Sequence, residues 1–159
     1  MATRSTIALE FADGTVQQVY CHWDGYLDNN GRILQEYYSN PFILRDLIDL
    51  GAISSLRPTI GTKHAFSSFE SAGELTSAEY ERLYGDMTTF YARDRGEELS
   101  KHTYKDFQEY TREAQREEYD YILRNVNGVA TWFVSFYGTD GEYLTLADAF
   151  EFQKAREEA

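Results

Sequence analysis

Two runs of strand-forming residues, 118–124 (EYDYILR) and 129–137 (VATWFVSFY), are joined through Asn127-Gly128. That dipeptide tolerates the positive φ angles of a tight turn, so the segment is committed to an antiparallel hairpin before any tertiary contact is considered. A second hairpin is predicted at the N-terminus. Residues 5–11 (STIALEF) alternate, with Ile7, Leu9 and Phe11 on one face, Asp13-Gly14 supplies the turn, and 16–22 (VQQVYCH) resumes strand composition. Side chains alternate along a strand, which sets Val19, Cys21 and Trp23 on one face and Tyr20, His22 and Asp24 on the other.

Helical spacing fills the intervals. Asp28, Asn29 and Asn30 are natural caps ahead of Ile33, Leu34, Tyr37 and Tyr38, so a helix is expected from near Asn30. Pro41 suits the first turn of a second helix, whose stripe of Leu44, Leu47 and Ile48 ends at Gly51. Serines, glycines and Pro58 punctuate 51–76 without a sustained period, and this stretch reads mainly as loop. Thr76 and Glu79 have the spacing of a capping box for a short helix through about Tyr84. Residues 87–93 (MTTFYAR) read as a strand running into Asp94-Arg95-Gly96, 103–116 as an amphipathic helix carrying Tyr104, Phe107, Tyr110 and Ala114, and 145–157 as a closing helix. The sum is a single α+β domain over 1–159: a mostly antiparallel sheet built from hairpins and covered by several helices. A chain of 159 residues that is 42% hydrophobic and 16% aromatic has ample material for such a core.

Charge and motifs narrow the function. The formal net charge is −12, with 7 acidic and 4 basic residues in 1–60 against 20 and 11 in 61–159. Such a surface repels phosphate backbones and anionic membranes, which argues against direct nucleic-acid binding. No apolar run reaches the length of a membrane span, and no basic patch followed by a hydrophobic stretch marks a secretory signal. The single cysteine, Cys21, precludes an internal disulfide or a cysteine-based zinc site and agrees with a reducing compartment. His22, His64 and His102 lack paired-ligand spacing, so neither a metal nor another cofactor is expected. No phosphate-binding glycine loop, Gly-x-Ser-x-Gly or His-Glu-x-x-His is present, and no catalytic residue is assigned.

Two clusters carry the binding chemistry. Residues 20–26 (YCHWDGY) concentrate rings and hydrogen-bonding groups at a strand end just before a helix N-terminus, where free N–H groups favour anions. Residues 93–97 (RDRGE) set two arginines at the same strand parity, and arginine recognises phosphate bidentately. Brought to one edge of the sheet, the clusters would form a nucleotide-type site. Trp23 or Tyr26 would stack on a base, Arg93 and Arg95 would hold phosphate, and His22 and Asp24 would bond ribose or base.

The segments STIALEFADGTVQQVYCHWDGYLDNNGRILQEYY, LIDLGAISSL and FYARDRGE together resemble a widespread group of small, uncharacterised bacteriophage and prophage proteins. Members share the Tyr-Cys-His-Trp-Asp-Gly-Tyr block, here 20–26, and the Arg-Asp-Arg-Gly-Glu block, here 93–97. The resemblance covers most of the chain, although 61–86 departs from the pattern and takes no role from it. It implies a phage origin, the host cytoplasm as workplace and a site shared by the two blocks. The expected function is that of an accessory protein countering host defence by sequestering a small nucleotide-derived signal without chemistry. Homo-oligomerisation would suit such a binder, since pockets often form between subunits. The alternatives are an acidic protein-interaction inhibitor or DNA mimic acting on a host DNA-binding enzyme, and a signal-degrading enzyme using His22 with Asp24 as its acid/base pair.

Overall fold

The computed structural model describes residues 2–71 and 73–158. Strand β1 (Ser5–Glu10) turns into β2 (Val16–Cys21) where the Asp13 carboxylate accepts hydrogen bonds from the Thr15 N–H and hydroxyl and Gly14 takes φ 91°. A π-helical turn (Leu27–Gly31) leads into α1 (Arg32–Tyr37). Helix α2 (Pro41–Ile48) is capped by Asn40, whose side chain accepts the Phe42 N–H, and buries Leu44, Leu47 and Ile48 completely. Each of those side chains contributes about 2 kcal/mol of apolar burial, more than the cap supplies, so packing holds the helix and the cap sets where it begins.

Strand β3 (Ile53–Ser55) follows, then α3 (Ser77–Tyr84) with its Thr76–Glu79 capping box formed in both directions, β4 (Thr89–Phe90) and α4 (Tyr91–Arg95). Beyond them come β5 (His102–Tyr104), α5 (Phe107–Glu113) capped by Asp106, β6 (Tyr119–Val126), β7 (Val129–Phe136), β8 (Leu144–Thr145) and α6 (Leu146–Glu158). The eight-stranded sheet runs β4-β3-β2-β1-β6-β7-β8, with β5 also pairing β2. Five pairings are antiparallel, while β1–β6 and β2–β3 are parallel, so the α+β class and the largely antiparallel sheet hold.

One face of the sheet, with Ile7, Leu9, Cys21, Tyr121, Leu123 and Val134, packs under Leu34, α2 and the start of α6. The opposite face, with Ala8, Val16 and Ile122, is covered by Tyr110 and Phe107 of α5 and Tyr104 of β5. No helix of the described residues is long and apolar enough to cross a membrane.

Three sequence expectations change. The strand expected over 87–93 stops after two residues, because the Asp94 carboxylate reaches back to the Phe90 N–H at 2.8 Å and closes a helical turn. The helix expected over 103–116 starts only at Phe107. His102–Tyr104 pair with Gln18–Val16 as a strand, and Asp106 caps the helix by accepting the Glu109 N–H at 2.8 Å. Within 51–76, Ile53–Ser55 form the strand between β2 and β4, short enough to carry no alternation of its own.

A buried polar link crosses the parallel pairing: the Thr6 hydroxyl donates to Asp120 Oδ1 at 2.7 Å, and the Glu117 N–H donates to the same carboxylate. Asp120 is 3% exposed, and burial pushes its pKa from 3.8 to about 6. The folded chain therefore holds this proton more tightly than the unfolded chain, and its contribution to stability falls as pH rises from about 4 to about 6, then levels. Comparing Asp120→Asn with wild type by urea denaturation, the wild type is expected to lose about 3 kcal/mol relative to the variant between pH 4 and pH 7. An unchanged difference at the two pH values would show that Asp120 titrates normally.

Candidate functional site

The first block closes β2. The His22 and Trp23 N–H groups donate to the carbonyls of Ile53 and Ser54, extending the sheet one step past the strand. Tyr20 Oη and His22 Nδ1 are hydrogen-bonded at 2.7 Å, and the His22 and Trp23 rings meet edge to face at 4.7 Å. Trp23 and Tyr26 are 43% and 42% exposed, so neither is a core aromatic. Asp24 takes a left-handed backbone (φ 57°) and its carbonyl accepts from Asn29 and Asn30. Gly25 is wedged against Thr3 and Ser5, where an added Cβ would sit 2.7 Å from the Ser5 Cβ, and the Tyr121 hydroxyl donates to its carbonyl at 2.6 Å.

Asn30 is not the helix cap its position suggests. Its side chain is fully buried and braces Ser5 Oγ, Cys21 Sγ and the Trp23 carbonyl, while a π-helical turn without a side-chain cap begins at Leu27. The buried Cys21 thiol is pushed up to about 11 by desolvation, which removes it as a nucleophile at neutral pH.

The second block is used differently. Because Arg93 lies on a helical turn and not on a strand, it does not share a face with Arg95. Arg93 donates to both Asp94 oxygens (3.0 and 3.2 Å) and to the carbonyls of Ile60 (2.9 Å), Gly61 (3.3 Å) and Thr88 (2.8 Å). A guanidinium has five N–H groups, and these bonds occupy all of them. Asp94, its side chain fully buried, also accepts the His64 N–H, and the His64 ring lies 3.8 Å away. His64 Nδ1 donates to the Thr62 carbonyl at 2.6 Å, and Nε2 and the Thr89 hydroxyl are hydrogen-bonded at 3.2 Å. Arg93, Asp94 and His64 thus pin the 60–64 loop to β4. Arg95 lies over the Phe66 ring at 3.8 Å and pairs with Glu70 and Glu97. Among the described residues, no hydrogen bond, ion pair or ring contact joins His22, Trp23, Asp24 or Tyr26 to Arg93 or Arg95. The blocks end two adjacent parts of the sheet, with β3 between them, but their side chains do not converge.

A different set does converge. Along the sheet edge where β1 and β6 begin and β7 ends, an open hollow of about 870 Å³ is lined by Arg4, Arg116, Tyr119, Phe136, Tyr137, Phe152 and Arg156, with Glu117, Glu118, Gln153 and Glu157 completing the wall. Tyr119 and Phe136 stack at 5.4 Å, and Phe152 meets Phe136 edge to face at 5.9 Å. Arg116 donates to Tyr143 Oη and the Thr111 carbonyl, and its guanidinium lies 3.9 Å from buried Asp120. Among the described residues, the side chains of Arg4 and Arg156 make no salt bridge. Three guanidinium groups therefore face one aromatic hollow in a chain of net charge −12. The three glutamates make the wall mixed in sign, which suits a ligand with separate anionic and ring-bearing parts over a bare polyanion. No three His, Cys, Asp or Glu side chains among the described residues converge to hold a metal ion.

The first block borders this same edge, since the Gly25 N–H donates to the Thr3 carbonyl and the Tyr119 N–H to the Arg4 carbonyl. Arg4, Arg116 and Arg156 went unread in the sequence because they belong to segments 112 and 40 residues apart, and only the β1–β6 pairing brings the first two together. The chain matches no family model, no curated protein and no solved structure.

Removing the Arg93 guanidinium leaves buried Asp94 without its charge partner, so Arg93→Ala is expected to cost about 3–5 kcal/mol, roughly 10 °C in melting temperature. Arg95→Ala, at an exposed pair, is expected to melt close to wild type. Calorimetry checks both, and an Arg93→Ala variant as stable as wild type would return Arg93 to the candidate ligand-binding residues.

Proposed function

We propose that the chain is a non-catalytic binder of a small nucleotide-type ligand, held in the edge hollow with its phosphate on Arg4, Arg116 and Arg156. The observation that carries this reading is the gathering of three arginines around stacked rings on an otherwise acidic protein. Arginine offers phosphate paired donors, and a ring-lined wall offers a base its stacking surface. In this reading the anion-holding role passes from Arg93 and Arg95, which the fold engages, to the edge arginines. The first block is tied to the same end of the sheet through Gly25 and Thr3, and in this reading its exposed Trp23 and Tyr26, with His22 and Asp24, would meet the outer part of a ligand.

The resemblance to small phage and prophage proteins supplies the setting. We infer an accessory protein of the host cytoplasm that sequesters a nucleotide-derived signal and returns it unchanged, a role that homo-oligomerisation would suit. The test is mass spectrometry of small molecules released by heat from purified protein after incubation with extracts of cells whose nucleotide-signalling defences have been triggered. An intact nucleotide near one per chain is expected. Losing a charged hydrogen bond from Arg4→Ala or Arg156→Ala is expected to weaken binding by about tenfold to a hundredfold. An altered nucleotide would identify an enzyme. Nothing bound would overturn the reading and favour the acidic protein-interaction inhibitor, to which exposed Glu97, Glu98, Glu113 and Glu118 would contribute.

A further inference from the structure

The edge hollow does not end at Arg156. A second hollow of about 510 Å³ adjoins it, and both are lined by Phe136, Tyr137, Phe152 and Arg156. The far wall of the second is the turn after β7, where Gly138, Asp140 and Gly141 all take left-handed backbone conformations (φ 99°, 54° and 80°). The turn is closed by hydrogen bonds from the Thr139 N–H to the Phe136 carbonyl and from the Glu142 N–H to the Thr139 carbonyl.

Arg156 occupies the boundary between the two hollows for a steric reason. A Cβ at position 138 would lie 2.8 Å from Arg156 Nη1, so glycine there leaves the space that the guanidinium fills. Phe152 lies beneath the same guanidinium at 5.8 Å. Tyr137, shared by both hollows, is 87% exposed, a ring presented to solvent at the point where the hollows meet. Asp140 provides the second hollow with an acceptor for an amino or sugar hydroxyl group, whereas Arg4 and Arg116 mark the first as the anion-binding end.

We propose that the two hollows form one bipartite site for a dinucleotide: two nucleosides joined by a phosphate, with Arg156 holding the bridging phosphate at the junction and Arg4 and Arg116 holding a terminal one. This rests on the nucleotide-binding reading above and extends it from one nucleoside to two. One hollow would accept a mononucleotide, while a ligand filling both gains from linkage, because its second half binds at a high effective concentration.

The test is titration calorimetry of the full chain with AMP, GMP and UMP against the 5′-phosphorylated linear dinucleotides pApA, pGpG and pUpU. At least one dinucleotide is expected to bind about tenfold or more tightly than its mononucleotide. Asp140→Gly and Gly141→Ala are expected to remove most of that advantage and leave mononucleotide affinity within about twofold, because both positions line the second hollow and not the first. Gly141→Ala strains a left-handed position, so Asp140→Gly decides the matter if the former melts early. Equal affinity for mono- and dinucleotides would overturn the bipartite site and leave the nucleotide-binding reading standing. Absence of binding by all six would overturn both.

Discussion

The parallel pairing of β1 with β6 is the junction on which the architecture depends. Five residue pairs, from Ser5↔Tyr119 to Leu9↔Leu123, weld two hairpins that are more than a hundred residues apart into one sheet. The pairing places Tyr121 under the β2–α1 connection, where its hydroxyl fixes the Gly25 carbonyl, and it buries the Thr6–Asp120 hydrogen bond between the strands. Both faces of the central strands are then covered, one by α1, α2 and α6 and the other by α5 and β5. A parallel contact requires a long crossover, and here the crossover is nearly the whole middle of the chain.

That junction also distributes charge. With 27 acidic residues against 15 basic ones, each arginine has many possible partners, and the fold uses them unequally. Arg93 is absorbed by Asp94 and three carbonyls, at the centre of a network that includes His64 and anchors a loop. Arg95 and Arg124 are held by nearby carboxylates and rings. Arg4 and Arg156 instead face the edge hollow, and Arg116 reaches it while bonding Tyr143 and the Thr111 carbonyl and lying 3.9 Å from the Asp120 carboxylate. An arginine paired inside the fold stabilises it, whereas one turned to an open aromatic wall remains able to bind an anion.

The local elements were legible to the degree that their signals were local. The two hairpin turns, the helix that starts at Pro41 and the Thr76–Glu79 box rest on interactions within a few residues, and each forms where the sequence places it. Reading 87–93 as a strand failed because β-compatible residues carry no warning that Asp94 will recapture the Phe90 N–H from four positions away. That error moved Arg93 and Arg95 onto one imagined face. Exposed Trp23 and Tyr26 were found at the sheet edge, but their expected arginine partners lie beyond β3 and point elsewhere.

The amino-acid sequence by itself determined the α+β class, the two hairpins, most helix starts and the acidic surface, because backbone propensity, capping and alternation act over a single turn or strand. The tertiary structure alone decided which arginines are engaged and which face an open hollow. That choice depends on strand pairings across more than a hundred residues, for which neither spacing nor composition leaves a local trace.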